Sequence, residues 1–451
     1  MREETIAAIA TPIGEGGIGI IRISGEESFA ILSKIFSGAK NEKGMQYGHI
    51  KDGDEVIDEV IVLIFKAPHS YTTEDVVEIQ CHGGIVSLRK ILNLCLENGA
   101  RMAEPGEFTK RAFLNGRLDL TQAEAVIDLI RAKTDKTFDV ALGQLEGKFS
   151  KRVKEIRQKL VDVLVNVTVN IDYPDEDIEI MTYENLITDL EDVETLINEM
   201  LKTSDTGRII KEGLKISIIG KPNVGKSSLM NALLKETRAI VTSIPGTTRD
   251  TIEEAISIKG VPVILTDTAG IRETEDLIEK IGIEKSKEAF NNADLIIFML
   301  DSSRDLDNED FEIIETIGNR KAICLINKID LDRKISKDDV LKRLPNATVF
   351  ETSMENDVGL NLIEDAIKDM VYSGDVKQEE RVLVTNIRHE NLLKEAKSSI
   401  NDAIQGAKEH QALEFLEIDI NQAYESLGLI IGEEVEDDII NEVFKRFCLG
   451  K

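Results

Sequence analysis

The sequence predicts a multidomain α/β fold. An N-terminal α+β domain is followed by an all-α domain in two segments, and a doubly wound domain with a mostly parallel sheet is inserted between those segments. The chain of 451 residues is long enough for two or three domains. Its apolar residues change from a strand-like to a helical period and back again along the chain. The helical pattern then returns near the C-terminus, and insertion explains that order because the ends of a domain often lie close together.

The N-terminal domain is predicted to span residues 1–117. Short β-branched runs at Ile18–Ile23, Val56–Phe65 and Val76–Ile79 are bounded by Gly, Asp or Pro, which is typical of strands. Turns that contain glycine separate these runs.

The first helical segment is predicted at 118–212. Thr121 and Glu124 have the spacing of a capping box at the start of a helix. Apolar residues then recur at steps of three and four from Phe138 to Val167, which predicts one long amphipathic helix.

The inserted α/β domain is predicted at 213–374, and the second helical segment at 375–451. Nearly continuous apolar runs alternate with helical stretches in the inserted domain, as expected for buried parallel strands. The predicted strands are Lys215–Ile219, Val261–Thr266, Leu295–Leu300, Ala322–Ile326 and Thr348–Glu351.

The composition limits the function. Lys and Arg number 55 and Asp and Glu number 84, so the formal net charge is −29. Such a charge repels nucleic acid, and any RNA partner needs a local basic patch.

Four scattered cysteines favour a reducing compartment, and neither a signal peptide nor a transmembrane run is evident. We therefore expect a cytoplasmic protein that is not inserted in a membrane.

A phosphate-binding loop is predicted at residues 220–227. The sequence GKPNVGKS follows an apolar strand and precedes a helical run, which is the context that this motif requires. Backbone N–H groups at a helix N-terminus can hold phosphates. Lys226 is expected to reach the β- and γ-phosphates, and Ser227 to bind Mg²⁺.

Three further motifs predict GTP as the nucleotide. Asp267–Gly270, Asn327–Asp330 and Thr352–Met354 each follow a predicted strand. Asp330 can accept hydrogen bonds from guanine that adenine cannot donate, which favours GTP. The predicted GTP-binding residues are Asn223, Val224, Gly225, Lys226, Ser227, Ser228, Thr242, Ser243, Ile244, Pro245, Gly246, Thr247, Thr248, Asp267, Thr268, Ala269, Gly270, Asn327, Lys328, Asp330, Thr352, Ser353 and Met354.

A switch segment is predicted at 242–250, where Thr248 is the expected second Mg²⁺ ligand. Ile271 follows the Asp267–Gly270 motif at the position where Ras-type GTPases carry a water-orienting glutamine. The attack of water must therefore be organised by another group.

The chain resembles the bacterial tRNA modification GTPases known as MnmE or TrmE. Three segments carry the resemblance beyond the GTPase motifs: TIAAIATPIGEGGIGIIRISG near the start, GEFTKRAFLNGRLDLTQAEAVIDLI, and FCLGK at the end. The resemblance implies a Ras-like GTPase domain, a folate-binding N-terminal domain of the aminomethyltransferase type that also forms a homodimer, and a split helical domain.

The resemblance also implies how the hydrolysis is catalysed. In that family K⁺ takes the place of an arginine finger, and its ligands match Asn223, Thr242, Ile244 and Thr247. A cation between the β- and γ-phosphates stabilises charge in the transition state. Glu279 matches the residue that orients the attacking water.

The implied one-carbon chemistry concerns a second site. Arg22, Glu78, Arg117 and Lys451 match contacts to 5-formyl-tetrahydrofolate, and 5,10-methylene-tetrahydrofolate is the other folate considered. Cys448 matches a candidate catalytic thiol. By resemblance, the chain works with the FAD-containing MnmG (GidA) subunit in a heterotetramer or larger assembly. Together they add an aminomethyl or carboxymethylaminomethyl group at C5 of the wobble uridine of certain tRNAs.

Two alternatives remain open at this point. A ribosome-assembly GTPase of the Era or Der type predicts an RNA-binding module, such as a KH domain, after the GTPase domain. A folate-dependent aminomethyltransferase with a regulatory nucleotide site predicts turnover without hydrolysis. For RNA, the best local candidate is a basic stretch at Lys148, Lys151, Arg152, Lys154, Arg157 and Lys159, although a solvated helix face is the default interpretation.

Overall fold

The computed structural model describes residues 4–38, 44–172, 182–236, 253–267, 290–372, 382–433, 435 and 437–451. These residues form two compact units. The first contains the described residues within 1–130, 143–190 and 398–451, and the second contains those within 131–142 and 191–397. None of the described helices combines the length and the apolarity that a membrane crossing needs.

A seven-stranded sheet is the centre of the first unit. Its strands are β1 (Ile6–Ile9), β2 (Gly19–Ser24), β3 (Phe36–Gly38), β4 (Gly44–Asp52), β5 (Glu55–Phe65), β6 (Val76–Cys81) and β7 (Arg101–Met102). The order is β3-β4-β5-β6-β2-β1-β7, and the pairs are antiparallel except for β1 with β7. Helices α1 (Ser28–Ile35) and α2 (Ile85–Glu97) bury their apolar residues with the sheet in one core.

The remaining helices of the first unit join residues that are far apart in sequence. They include α3 (Glu107–Leu114), α4 (Leu120–Arg131), α6 (Lys148–Asp172), α14 (Leu413–Ile431) and α15 (Asp437–Lys445). Helix α6 packs along α14. Leu120 and Ile127 of α4 form a small core with Ile440 and Phe444 of α15, so the C-terminal helix is fixed near the N-terminal domain.

A six-stranded sheet is the centre of the second unit. Its strands are β8 (Leu214–Ile219), β9 (Glu253–Ile258), β10 (Val261–Asp267), β11 (Leu295–Asp301), β12 (Ala322–Asn327) and β13 (Thr348–Glu351). The order is β13-β12-β11-β8-β10-β9, and the neighbours are parallel except for β9 with β10. Separate apolar cores cover the sheet, as expected for a doubly wound domain.

The other described helices complete the two units. They are α5 (Asp135–Leu145), α7 (Tyr183–Leu201), α8 (Ser204–Glu212), α9 (Lys226–Glu236), α10 (Asn308–Ile317), α11 (Lys337–Leu341), α12 (Leu360–Tyr372) and α13 (Ile387–Lys408). The predicted multidomain α/β fold class is confirmed, and all the predicted strands occur within one or two residues of the expected bounds.

Two local predictions were wrong. The predicted long helix is interrupted between α5 and α6, where Gly147 has a φ of +84°, a conformation that favours glycine. The capping box at the start of α4 is formed by Asp119 and Gln122: Gln122 N–H donates to Asp119 Oδ1 at 3.0 Å, and Asp119 N–H donates to Gln122 Oε1 at 3.0 Å. Thr121 and Glu124 lie within the helix instead, because two overlapping segments share the capping pattern.

A buried arginine connects α6 to the end of α14. Arg157 is 8% exposed, its guanidinium lies 4.0 Å from the ring centroid of Tyr424, and it forms an ion pair with Glu433. Arg157 was predicted to belong to a basic stretch that could contact RNA, but it is buried in the protein and is not available to RNA. Its neighbours Lys148, Arg152 and Lys154 form exposed or half-exposed pairs with carboxylates.

We expect Arg157→Ala to destabilise the first unit by about 2 kcal/mol, because the stacked guanidinium and its buried stem are lost. Chemical denaturation followed by circular dichroism measures this change. The matched control is Arg152→Ala, which removes a half-exposed partner of Glu155 on the same helix and should cost less than about 1 kcal/mol. Equal effects of the two variants would contradict the assignment of Arg157 to the core.

Candidate functional site

The loop between β8 and α9 has the backbone geometry of a phosphate loop. Gly220, Asn223 and Gly225 have φ values of +146°, +62° and +110°. A Cβ on Gly225 would lie 2.3 Å from Nδ2 of Asn327, so this position requires glycine for both its conformation and its space. The helix that follows begins at Lys226, as the motif predicts.

Lys226 lies against the loop that precedes it. Its Nζ donates to the backbone oxygens of Gly220 at 2.7 Å and of Lys221 at 2.6 Å. The ammonium group is therefore held at the mouth of the loop, next to the start of α9. From there it can move to phosphate oxygens by a change in its flexible side chain alone.

Asn327 connects the loop to the opposite side of the cleft. Its buried side chain donates from Nδ2 to the backbone oxygen of Val224 at 2.8 Å. Its Oδ1 accepts from Met354 N–H at 3.1 Å and from Thr352 Oγ1 at 3.3 Å. The two predicted halves of the nucleotide site are thus joined by one side-chain amide.

The half of the cleft that is predicted to bind the base also carries fixed charges. Ser353 Oγ donates to Oδ1 of Asp330, and Lys328 donates from Nζ to Oδ2 of Asp301 at 2.7 Å. Burial opposes ionisation of Asp301, but the hydrogen bonds from Lys328 and Ser303 outweigh it and hold its pKa below the usual value. Asp301 therefore stays ionised and fixes the position of Lys328 beside the cleft.

These elements enclose a cleft of about 830 Å³. It is lined by Pro222, Asn223, Gly225, Lys226, Ser227, Ser228, Asn327, Lys328, Asp330, Met354 and Glu355. Ser227 and Asn223 are both exposed in it, so a hydroxyl and an amide oxygen are available to cations that bridge phosphates. Among the residues that the structure describes, no cluster of three or more His, Cys, Asp or Glu side chains could hold a metal ion.

Several predicted residues lie outside the described part of the chain. Asp267 is the last residue of β10. Outside the described residues lie Thr242, Ser243, Ile244, Pro245, Gly246, Thr247, Thr248, Thr268, Ala269, Gly270 and Glu279.

A second cluster lies on the N-terminal sheet. Arg22 of β2 and Glu78 of β6 are cross-strand partners, and Arg22 Nε donates to Glu78 Oε1 at 2.8 Å. The guanidinium carbons of Arg22 and Arg117 lie 5.3 and 4.8 Å from the ring centroid of Tyr71. Arg117 also donates to the backbone oxygen of Tyr71 at 2.9 Å.

The C-terminal tail reaches the same cluster. Gly450 has a φ of +85°, and a Cβ there would lie 2.1 Å from the backbone oxygen of Ile9, so the tail follows the end of β1 closely. Burial and the charge of Arg22 lower the pKa of Lys451, and these effects outweigh the opposing effect of Glu78. The structure therefore brings all four predicted folate residues together.

A cavity of about 630 Å³ adjoins these side chains. It is lined by Phe65, Pro68, His69, Ser70, Tyr71, Thr73, Val76, Glu78, Asn115, Gly116 and Arg117. Sequence reasoning missed Tyr71 and Asn115. An aromatic residue in a polar loop was the available signal for Tyr71, whereas Asn115 offered none. Cys448 is exposed, and its backbone oxygen accepts from Gly106 N–H at 3.3 Å.

We expect Gly225→Ala to weaken guanine nucleotide binding by about 2–4 kcal/mol, because the new Cβ meets Asn327 and the residue must keep a positive φ. Titration with a fluorescent GDP analogue measures the affinity. Gly260→Ala is the matched control, since Gly260 also has a positive φ but has open space at its Cβ position. Wild-type affinity in Gly225→Ala would show that the contact with Asn327 is dispensable.

Comparison with protein families gives two matches. The model described as "GTP-binding protein TrmE N-terminus" matches residues 5–117, and the one described as "MnmE helical domain" matches residues 120–448. Among solved structures, the FeoB G-domain from Methanococcus jannaschii is 25% identical over 35% of this chain and 96% of its own, with a TM-score of 0.26.

Curated relatives match over the full length. Each is described as "tRNA modification GTPase MnmE". The protein of Alkaliphilus oremlandii is 52% identical and that of Clostridioides difficile is 48% identical, each over 100% of this chain and 99% of the relative. The protein of Bacillus subtilis is 47% identical over 99% of this chain and all of the relative.

Proposed function

The chain belongs to the MnmE family of tRNA modification GTPases and hydrolyses GTP, and we propose that K⁺ assists this hydrolysis as part of the modification of tRNA. Asn327 carries the nucleotide part of the argument, because its amide fixes both the phosphate loop and the segment that holds Asp330. Mg²⁺ and K⁺ would supply positive charge at the phosphates. Ser227 and Thr248 would hold Mg²⁺, while Asn223, Thr242, Ile244 and Thr247 would hold K⁺.

The exposed side chain of Asn223 supports the K⁺ proposal. The residue lies on the phosphate loop and lines the cleft. Its backbone has a positive φ, a conformation that asparagine adopts more readily than most residues. Glu279 is proposed to orient the attacking water. Lys226 is proposed to stabilise the charge that develops on the transferred phosphoryl group.

We also propose that the cluster around Tyr71 binds a tetrahydrofolate, either the 5-formyl or the 5,10-methylene form. A carboxylate such as Glu78 can accept from the N–H groups of a pterin, and the guanidinium groups of Arg22 and Arg117 can pair with carboxylates. The exposed thiol of Cys448 is proposed to act in the modification of C5 of the wobble uridine, together with the FAD-containing MnmG subunit.

A homodimer is part of this proposal. Exposed apolar side chains lie on the two adjacent strands β4 and β5: Tyr47 and Ile61 are cross-strand partners, and Met45 is paired with the half-buried Leu63. An apolar face of this kind marks an interaction site when it is extensive. The proposed domains are 1–117 for folate and dimerisation, 118–212 and 375–451 for the helical domain, and 213–374 for the GTPase domain. A cytoplasmic location is proposed with them.

The alternative of an Era- or Der-type GTPase has no support from the described C-terminal residues. The segments 382–433 and 437–451 form helices α13 to α15, with no strands among them to build a KH module. The full-length relatives carry the tRNA modification description instead.

We expect GTP hydrolysis to be roughly tenfold or more faster in K⁺ than in equimolar Na⁺. Asn223→Gly should abolish this difference, since it removes the ligand oxygen and still permits a positive φ. Asn319→Ala, an exposed asparagine that does not line the cleft, is the control and should keep the preference for K⁺. Equal rates of the wild type in both salts would refute the K⁺ proposal.

We expect binding of 5-formyl-tetrahydrofolate to weaken as the pH rises towards the usual pKa of lysine. The lowered pKa of Lys451 means that its positive charge is lost at a lower pH than that of an ordinary lysine. Lys451→Arg should remove this dependence, because a guanidinium stays charged. Lys451→Met should weaken binding about tenfold or more at neutral pH.

Calorimetric titration in a Cys448→Ser background separates Lys451 from the nearby thiol. A pH profile that is unchanged by Lys451→Arg would exclude Lys451 from the site.

A further inference from the structure

The phosphate loop contains a buried lysine that the GTPase motif does not explain. Lys221 follows Gly220, and its side chain is 5% exposed. Lysine side chains are almost never buried to this extent unless they are paired. Its ammonium lies 2.7 Å from Oδ2 of Asp310 and forms a second ion pair with Asp307. The charge is therefore directed at two carboxylates of helix α10 and not at the nucleotide cleft, whose lining residues do not include Lys221.

The two carboxylates begin α10. Asp307 is the N-cap residue, and its Oδ1 accepts from the N–H groups of Glu309 at 3.0 Å and of Asp310 at 3.4 Å. In turn, Oδ2 of Asp310 accepts a hydrogen bond from Asp307 N–H at 3.1 Å, which completes the capping box. Lys221 binds both members of this capping box. The ion pairs between its ammonium and the two carboxylates therefore connect the phosphate loop to the first turn of α10.

The backbone of the same lysine contacts the central cation of the GTPase motif. The backbone oxygen of Lys221 accepts from Nζ of Lys226 at 2.6 Å. The preceding residue lies close to the sheet, since a Cβ on Gly220 would be 2.5 Å from the backbone oxygen of Met299. The segment that holds Lys226 thus lies against the sheet on one side and is bound, through the side chain of Lys221, to the start of α10 on the other.

We propose that Lys221 is a positioning residue for GTP binding, which acts through the peptide that holds Lys226 and connects nucleotide occupancy to helix α10. This inference rests on the binding and hydrolysis of GTP, and it requires neither K⁺ nor folate. When nucleotide binds, Lys226 is drawn towards the phosphates and its contact with the Lys221 carbonyl changes. The ion pairs of Lys221 hold the loop in place while Lys226 moves. Because the same ion pairs bind Asp307 and Asp310, they transmit the effect of that movement to the start of helix α10.

A purely structural role is the competing explanation. Buried ion pairs are weak support for stability, because the cost of desolvation offsets the attraction between the charges, whereas removing one partner alone leaves an uncompensated charge. A structural role predicts that stability and nucleotide affinity change together. A positioning role predicts that affinity stays impaired when the charge balance, and with it the stability, is restored.

The experiment compares three variants. Lys221→Met should raise the KM for GTP and the Kd for GDP about tenfold or more, with a smaller change in kcat. Lys221→Arg, which keeps the charge, should retain most of the affinity. The double variant Lys221→Met/Asp310→Asn should recover most of the thermal stability and keep the weak affinity. Lys259→Met is the matched control, since Lys259 pairs with Asp365 in the same unit and does not line the cleft.

Hydrogen exchange gives a readout that a structural role would not move. In the wild type, GDP should protect the amides of the first turn of α10, and in Lys221→Met this effect should be lost even with GDP at saturation. Recovery of both stability and affinity in the double variant, or GDP-dependent protection of α10 in Lys221→Met, would overturn the proposal. Since Kd is measured by direct titration, slow hydrolysis in the wild type would count against the catalytic proposal and not against this one.

Discussion

The buried amide of Asn327 is the interaction on which the nucleotide cleft depends. One side chain satisfies a carbonyl of the phosphate loop and an N–H of the segment after β13. An amide suits this position because it carries a donor and an acceptor on two separate atoms, whereas an ionised carboxylate can only accept. This arrangement requires glycine at position 225, because a Cβ there would overlap with the side-chain amide of Asn327. The two predicted halves of the nucleotide site are therefore connected through one side chain.

The net charge of −29 poses a problem that the described cations solve locally. A protein that binds anionic ligands must hold positive charge in place against a negative field. Lys328 is held by Asp301 beside the cleft, and Arg22 is held by Glu78 on the N-terminal sheet. Each carboxylate lowers the freedom of its cation, and so part of the entropy cost of ligand binding is met when the protein folds. On α6, by contrast, the pairs of Lys148 and Lys154 with carboxylates involve largely exposed lysines, and Arg157 is used within the core.

Much of this molecule could be predicted from its sequence, because both the strands and the GTPase motifs are local signals. Apolar runs placed eight of the described strands but not β1, β3, β4, β7 or β9, and each motif begins at the end of a strand as expected for a doubly wound sheet. The predictions that failed concerned competing local patterns. Asp119 and Thr121 both begin a capping sequence, and in the structure it is Asp119 that caps α4. Apolar periodicity likewise continues through Gly147, which has the backbone conformation that ends the helix.

The position of the C-terminal tail could not be predicted from any local signal. It is set by contacts between residues more than 300 positions apart, in which α15 packs on α4 and its end lies against Gly106. A Cβ on Gly106 would lie 2.8 Å from the backbone oxygen of Phe444, and one on Gly450 would lie still closer to Ile9, so each of these close approaches of the tail occurs at a glycine. The tail brings Lys451 to the charges of Arg22 and Glu78. The proposed folate site is consequently complete only when both ends of the chain have folded into one unit.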